Sequence, residues 1–327
     1  MAYQYGMHFS PLPALAVSLT VCAVSISPSH AETPQPQATA TQFRFNSITP
    51  IQLKTDPRTH LLIAECRLNG VPCNLIVDTG ASHTTFDMGF INKNFPGMQL
   101  RALPQASQTN VQASPYIMPV RTFSIGAAQL DNYYAMVLDL PQLRQANQIN
   151  VDGILGVNYL SFTPFRLSGK NATLQFLKKD ALPSLKLKPL NTTRNASGTF
   201  NVQSTLNGKP LPLLLDSGSS LSFAPPAQWP EDPKAAKQAI ATADVNGASG
   251  SPVTIAKGMT ATLHMGPDFA VDNLAFYLDK TSNLRQIGID TLTRFDIVVD
   301  AQNNSVSALP ADDASPSATP AAEPAAP

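Results

Sequence analysis

The chain is short of charge. Only 13% of its 327 residues are Asp, Glu, Lys or Arg, where a soluble domain usually carries about 25%. The 22 basic residues balance the 22 acidic ones. Zero net charge gives neither a nucleic acid nor an anionic membrane surface a footprint to bind. Glutamate is nearly missing, with 18 of the 22 acids being Asp. A sequence poor in Glu and rich in Val, Thr, Ser and Asn favours strands and turns over helices. No stretch sustains a long helical period. Cysteine is scarce too: Cys22, Cys66 and Cys73 are the three present. His60, His83 and His264 stand at no ligand spacing from one another or from the cysteines, so no metal is expected. Ser219 and Ser249 lack a Gly-x-Ser-x-Gly elbow, and no Gly-rich phosphate loop opens a helix. A serine hydrolase and a nucleotide-binding protein are both disfavoured, and no cofactor is called for.

What is present is a repeat. Leu75-Ile76-Val77-Asp78-Thr79-Gly80-Ala81-Ser82 returns as Leu213-Leu214-Leu215-Asp216-Ser217-Gly218-Ser219-Ser220, with the aspartates 138 residues apart (216 − 78). At the same offset Leu68-Asn69-Gly70 becomes Leu206-Asn207-Gly208. Each copy then ends on a Gly-centred segment, Ile154-Leu155-Gly156 in the first and Gln286-Ile287-Gly288 in the second. Gln286 departs from the pattern, being polar where its counterpart is apolar. Two copies of one unit, each presenting a carboxylate from a tight turn after a buried strand, predict one site built from both. Asp152, Asp290 and Asp300 read as ordinary turn acids.

The 43% hydrophobic content supports a core in each half. The halves are placed at 44–189 and 190–310, with Pro189–Asn195 as connector. Leu12 to Ile26 is mostly apolar and Ser29-His30-Ala31 offers a small-x-small cleavage site, so residues 1–31 read as a signal peptide. No Lys or Arg precedes the apolar stretch, which leaves a retained anchor as the alternative; the stretch is short for a span. Cleavage near Ala31 implies a periplasmic or secreted protein, with no membrane contact in the mature form. Residues 32–43 read as a flexible leader. From Pro310 onward twelve of eighteen residues are Ala or Pro, so 311–327 read as a disordered tail. Sequons at Asn171, Asn191, Asn195 and Asn303 match a pattern that arises often by chance.

Asn69-Gly70 is a two-residue primed hairpin turn, which sets Leu68 opposite Val71, Arg67 opposite Pro72 and Cys66 opposite Cys73. A cross-strand disulfide between Cys66 and Cys73 is then geometrically open in an oxidising compartment; two free, half-buried thiols are the alternative.

These motifs resemble the aspartic peptidases, which pair two Asp-Thr/Ser-Gly turns with two distal hydrophobic-hydrophobic-Gly segments. The resemblance covers about 44–310. The short lobes and the Asp78-Thr79-Gly80-Ala81 run look like the retropepsin-like rather than the long pepsin-like enzymes, fused into one chain of bacterial type. It implies an all-β acid-protease fold: two similar β-barrel-like lobes about a pseudo-two-fold axis, active as a monomer. It also implies an aspartic endopeptidase that hydrolyses polypeptide substrates with water activated by Asp78 and Asp216. A non-catalytic exported peptide-binding or scaffold module with the same fold is the alternative.

The resemblance further implies that Thr79 and Ser217 brace the two turns across the lobes, although small hydroxyl residues are also ordinary turn formers. Gly80 and Gly218 allow close backbone approach, and Gly156 and Gly288 would lie under the turns. Ala81 has no hydroxyl, whereas Ser219 is expected to bond Asp216; on that expectation Ala81→Ser lowers the acidic limb of the pH–rate profile. A flap over the cleft is expected at Ser107–Tyr116, with Ala241–Val253 as its counterpart. Tyr116 and His83 are candidate substrate contacts, each also readable as a packing or surface residue.

Overall fold

The structure is a computed structural model that describes residues 40–103, 115–206, 208–225, 228, 242–246, 252–279 and 284–310. The expected signal peptide, the tail after Pro310 and most of the Ser107–Tyr116 flap lie outside these residues.

The N-terminal half is a barrel started by the Asn-Gly hairpin. Asn69 (φ 48°) and Gly70 (φ 87°) both take the left-handed conformation that a primed turn demands. The strands Leu62–Leu68 and Val71–Val77 pair in the expected register, Cys66 opposite Cys73. The two cysteines are disulfide-bonded, with Cα atoms 5.1 Å apart. Along Leu62–Leu68 the inward residues are buried and the outward Glu65 and Arg67 exposed. Val71–Val77 runs into the Asp78 turn, and the chain returns as the short strand Thr85–Asp87. Gly153–Leu155 inserts between the two, parallel to Val71–Val77 and antiparallel to Thr85–Asp87. Tyr116–Ile125 and Ala128–Leu138 form a hairpin that closes the ring. One strand pairs with Leu62–Leu68 and the other with Thr85–Asp87, giving six strands with no free edge. Phe86, Phe123 and Tyr159 fill the barrel edge to face, with centroids 5.8 and 4.9 Å apart. The chain joins this sheet at Gln42, where Gln42–Phe45 pairs with Ala128–Leu138, so its first strand begins two residues before the expected lobe boundary.

Among the described residues the C-terminal half repeats the plan without closing. Phe200–Leu206 and Lys209–Leu215 form the hairpin before Asp216. Gln286–Ile287 lies parallel to the second of these strands, as Gly153–Leu155 does to Val71–Val77. Pro252–Gly266 and Phe269–Asp279 supply the long hairpin. The counterpart of strand Thr85–Asp87 is reduced to bridges at Phe223, toward Tyr277 and Gln286. The sheet is therefore a curled half-barrel. Thr242–Asn246 pairs with Pro252–Gly266, so the described part of the expected Ala241–Val253 flap is strand.

A third, six-stranded sheet draws on both halves. At its centre Phe165–Ser168 pairs with Phe295–Asp300, Phe165 opposite Val299 and Leu167 opposite Ile297. Each half thus offers the same segment to the other, as a pseudo-two-fold axis requires. The buried Arg166 donates from Nε to Asp296 Oδ2 across this pairing at 2.7 Å. The expected connector is woven in rather than loose: Lys188–Pro189 pairs with Ser305–Pro310, and Thr192–Arg194 pairs with Phe200–Leu206. Backbone donors in a covered segment need partners, and neighbouring strands supply them.

Candidate active site

Both aspartates are set by the same local construction. A buried apolar strand delivers Asp78 and Asp216 to the lobe interface, where the side chains are 1% and 0% exposed. The distal segments hold their backbones: Asp78 N–H donates to Leu155 O and Asp216 N–H to Ile287 O, both at 3.0 Å. Gly80 and Ala81 N–H donate to Asp78 Oδ1 at 2.8 and 3.0 Å, and Gly218 N–H donates to Asp216 Oδ1 at 3.0 Å.

The two turns interlock. Thr79 Oγ1 donates to Leu215 O (2.8 Å) and accepts from Ser217 N–H (3.0 Å). Ser217 Oγ donates to Val77 O (2.7 Å) and accepts from Thr79 N–H (3.0 Å). These four buried bonds lock the turns together. Each turn glycine also backs onto the opposite carboxyl. A Cβ on Gly80 would stand 2.6 Å from Asp216 Cγ, and one on Gly218 closer still to Asp78 Cγ, so neither position accommodates a side chain. Gly156 and Gly288 do lie beneath: a Cβ on Gly156 would meet the His83 backbone, and one on Gly288 the Leu221 carbonyl.

Two carboxyls thus face each other in a buried site. Each Oδ1 is held by its own turn, whereas Asp78 Oδ2 and Asp216 Oδ2 have no donor among the described protein groups. Burial weakens both as acids, raising the pKa of Asp78 to about 6 and that of Asp216 well above the usual carboxylate range. For Asp216 the charge of Asp78 adds to the effect of burial. Like charges this close do not both ionise cheaply, so the pair retains one proton between them and titrates as a unit.

Ser219 corrects an expectation. Its hydroxyl turns away from the Asp216 carboxylate, donating to Leu221 O at 2.7 Å and accepting from Gln286 Nε2 at 2.7 Å. Only the backbone of Ser219 faces Asp216. Gln286, polar in an apolar pattern and 1% exposed, finds its partner in that hydroxyl. In the N-terminal lobe the matching positions are Ala81 and Ile154, both apolar and buried.

Asp290 corrects another. It is no surface turn acid: it accepts from Ser222 N–H (3.1 Å), Ser222 Oγ (2.6 Å) and Thr291 N–H (2.8 Å), and burial raises its pKa to about 6. Ser222 Oγ in turn accepts from Gly288 N–H at 2.9 Å. The N-terminal lobe does the same with neutral groups: Thr84 N–H and Oγ1 donate to Asn158 Oδ1 at 2.7 and 2.9 Å, and Gly156 N–H donates to Thr84 Oγ1 at 3.2 Å. The repeat offset of Thr84 and Ser222 was the signal that could have found this pair. Asp300 is the turn acid it was expected to be, accepting from Asn303.

The other candidates make contacts of their own. Tyr116 opens a barrel strand and packs, partly buried, against the hydrophobic core. His83 is more than half buried, with Nδ1 2.9 Å from Ser82 Oγ, and lines a pocket between the lobes. Cys66 and Cys73 are buried in the hydrophobic core and also border a separate groove of about 910 Å³. No group of three or more His, Cys, Asp or Glu with metal-binding geometry occurs among the described residues, and none of their helices is long and apolar enough to cross a membrane.

Residues 64–159 match the family model described as aspartyl protease, a span that includes the Asp78 turn and its distal Gly156 segment. No curated protein matches the chain. Over that span the N-terminal lobe is similar to the aspartyl proteases.

Proposed function

We propose that the protein is an aspartic endopeptidase whose paired carboxyls, Asp78 and Asp216, hydrolyse peptide bonds by activating one water. The observation that carries this reading is the pair of donor-less Oδ2 atoms on two buried carboxyls, held by the reciprocal Thr79–Ser217 bonds. Amide hydrolysis without a metal or a covalent nucleophile needs a base for water and an acid for the carbonyl oxygen. A pair with one proton is both: the ionised carboxylate takes a proton from water as its oxygen attacks the carbonyl carbon, and the protonated one donates to the carbonyl oxygen. In collapse of the tetrahedral gem-diol one of its hydroxyls gives a proton to the ionised carboxylate while the amine leaves with the proton of the other carboxyl, so the pair again holds one. The Thr79 and Ser217 bonds keep the carboxyls at fixed separation, so no reorganisation is spent during the reaction.

Both carboxyls come from one chain, so a monomer suffices. The substrate is a polypeptide, and no cofactor enters. The Cys66–Cys73 disulfide and the Leu12–Ala31 signal pattern support action in the periplasm or outside the cell.

The test is cleavage of a peptide library across a pH series by the mature chain, with Asp78→Asn and Asp216→Asn alongside. The reading expects cleavage that either substitution lowers by about 10²–10⁴-fold. It also expects tight, Asp78-dependent binding of an inhibitor that mimics the tetrahedral hydrate. Peptide binding without cleavage, unaffected by either substitution, would establish the scaffold alternative instead.

A further inference from the structure

A pocket of about 530 Å³ opens between the lobes beside the Asp78 turn. Its walls are Ser82 and His83 from the N-terminal lobe, the segment Val157–Phe162, and the Arg194–Gly198 turn of the C-terminal lobe. No carboxylate lines it, and Arg194 brings its one full charge. That guanidinium is already oriented. Nη1 donates to Ala301 O at 2.8 Å and to Asn304 Oδ1 at 3.3 Å, Nε donates to Gly198 O at 3.2 Å, and the group lies 5.7 Å over the Phe200 ring. Nη2 has no acceptor among the described residues. The Ser161 hydroxyl oxygen, on a residue that also lines the pocket, is buried and likewise without a partner. A buried hydroxyl left unpaired costs free energy, and a fixed guanidinium loses little entropy on binding an anion. Two such donors in the lining of one acid-free pocket fit a carboxylate.

Position supplies the rest. Ser82 and His83 follow Asp78 by four and five residues, so they lie within about 18 Å of it even at full chain extension. A peptide extended across Asp78 and Asp216 advances at about 3.3 Å per residue, so about five residues span that distance.

We propose that this interlobe pocket is a subsite for a carboxylate carried by the substrate within about five residues of the scissile bond, bound by Arg194 and Ser161. The proposal rests on the endopeptidase reading for its substrate, though the pocket can be tested without turnover. The carboxylate has two sources, an internal Glu or Asp side chain or the C-terminus of a short peptide. Both offer oxygens that accept from Nη2 and from the Ser161 hydroxyl.

The experiment uses the mature full-length chain and matched peptides carrying Glu or Gln at each position around the cleaved bond, each with a free or amidated C-terminus. One position is expected to favour the charged form by about tenfold in kcat/KM, the worth of one charge-assisted hydrogen bond. Arg194→Gln should abolish the preference, so that Glu and Gln peptides are cut at equal rates, Ser161→Ala should weaken it, and Arg194→Lys should keep part of it. A preference for internal Glu points to a side-chain subsite, and one that vanishes on amidation points to the C-terminus. Raised salt should shrink it, because Arg194 is itself exposed. Equal rates for charged and neutral peptides at every position overturn the proposal, as does a preference unchanged in folded Arg194→Gln and Ser161→Ala. Titration of the same peptides into Asp78→Asn separates the two readings. Charge-selective binding with no cleavage by the parent chain would leave the subsite standing and remove the catalytic claim.

Discussion

Three residues beyond each aspartate the N-terminal lobe has Ala81 and the C-terminal lobe Ser219; beneath them stand Ile154 and Gln286. The first pair is apolar, whereas Gln286 Nε2 donates to Ser219 Oγ in the second. One layer further out, neutral Asn158 receives Thr84 where ionisable Asp290 receives Ser222. The upper halves of the two turns are alike, down to the Thr79–Ser217 bonds, and the lobes diverge only below. A polar residue is tolerated in such a layer when its partner changes with it, because a buried amide or hydroxyl alone costs about 1–3 kcal/mol. The comparison teaches that symmetry is kept where two carboxyls must meet and relaxed where each lobe only supports its own.

The largest test of that division acts on the symmetric layer. Asp78→Asn and Asp216→Asn should lower kcat/KM by similar factors, about 10²–10⁴. A loss confined to one of them would show that the lobes do not contribute alike.

Asp290 gives the next effect. Its folded pKa, about 6, lies above the ordinary carboxylate value, so its contribution to stability is full below about 4 and is lost as pH rises through 6. Tyr277 is the ionisable neighbour whose own acidity it perturbs. Asp290→Asn gives the C-terminal lobe the chemistry of Asn158. Urea unfolding of the variant and parent should then diverge between pH 4 and 7 in favour of the variant, by up to about 3 kcal/mol. A constant difference across that range would refute the assignment.

Gln286→Ile leaves Ser219 without its donor and should cost about 1–3 kcal/mol. Adding Ser219→Ala should recover much of that, since the double variant reproduces the pair in the N-terminal lobe. Additive losses in the double-mutant cycle would mean that the two side chains are not coupled.

The smallest expected effect is on the pH–rate profile of Ala81→Ser. Because the Ser219 hydroxyl turns from its aspartate, a hydroxyl at 81 should leave the acidic limb in place. A downward shift would restore the expectation that the position after the glycine tunes the carboxyl.

Much of this arrangement was legible in the sequence. The Asn69-Gly70 turn specified its own register, because two left-handed residues leave one way for the flanking strands to pair. The turns and distal glycines declared themselves through a fixed offset. What local pattern could not carry were contacts made at long range. Gln286 read as a blemish because Ser219, its partner, lies 67 residues away. Asp290 read as a turn acid because nothing beside it predicts Ser222. The closing strand Thr85–Asp87 answers at the repeat offset to Phe223-Ala224-Pro225, which matches it at no position and ends in a proline that cannot donate to a strand ladder, so the reduced pairing there has a local cause in the sequence. The connector's strand pairing was not legible because its partners, Ser305–Pro310 and Phe200–Leu206, are set by the fold of both halves.

Carbon-13 titration of the aspartate carboxyls, followed by NMR in the parent chain and in Asp78→Asn, reaches the shared proton itself. The parent should show two coupled steps, both displaced upward from the ordinary carboxylate range, and the substitution should collapse them into one. Two independent titrations at ordinary carboxylate values, unaltered for Asp216 in the variant, would contradict it.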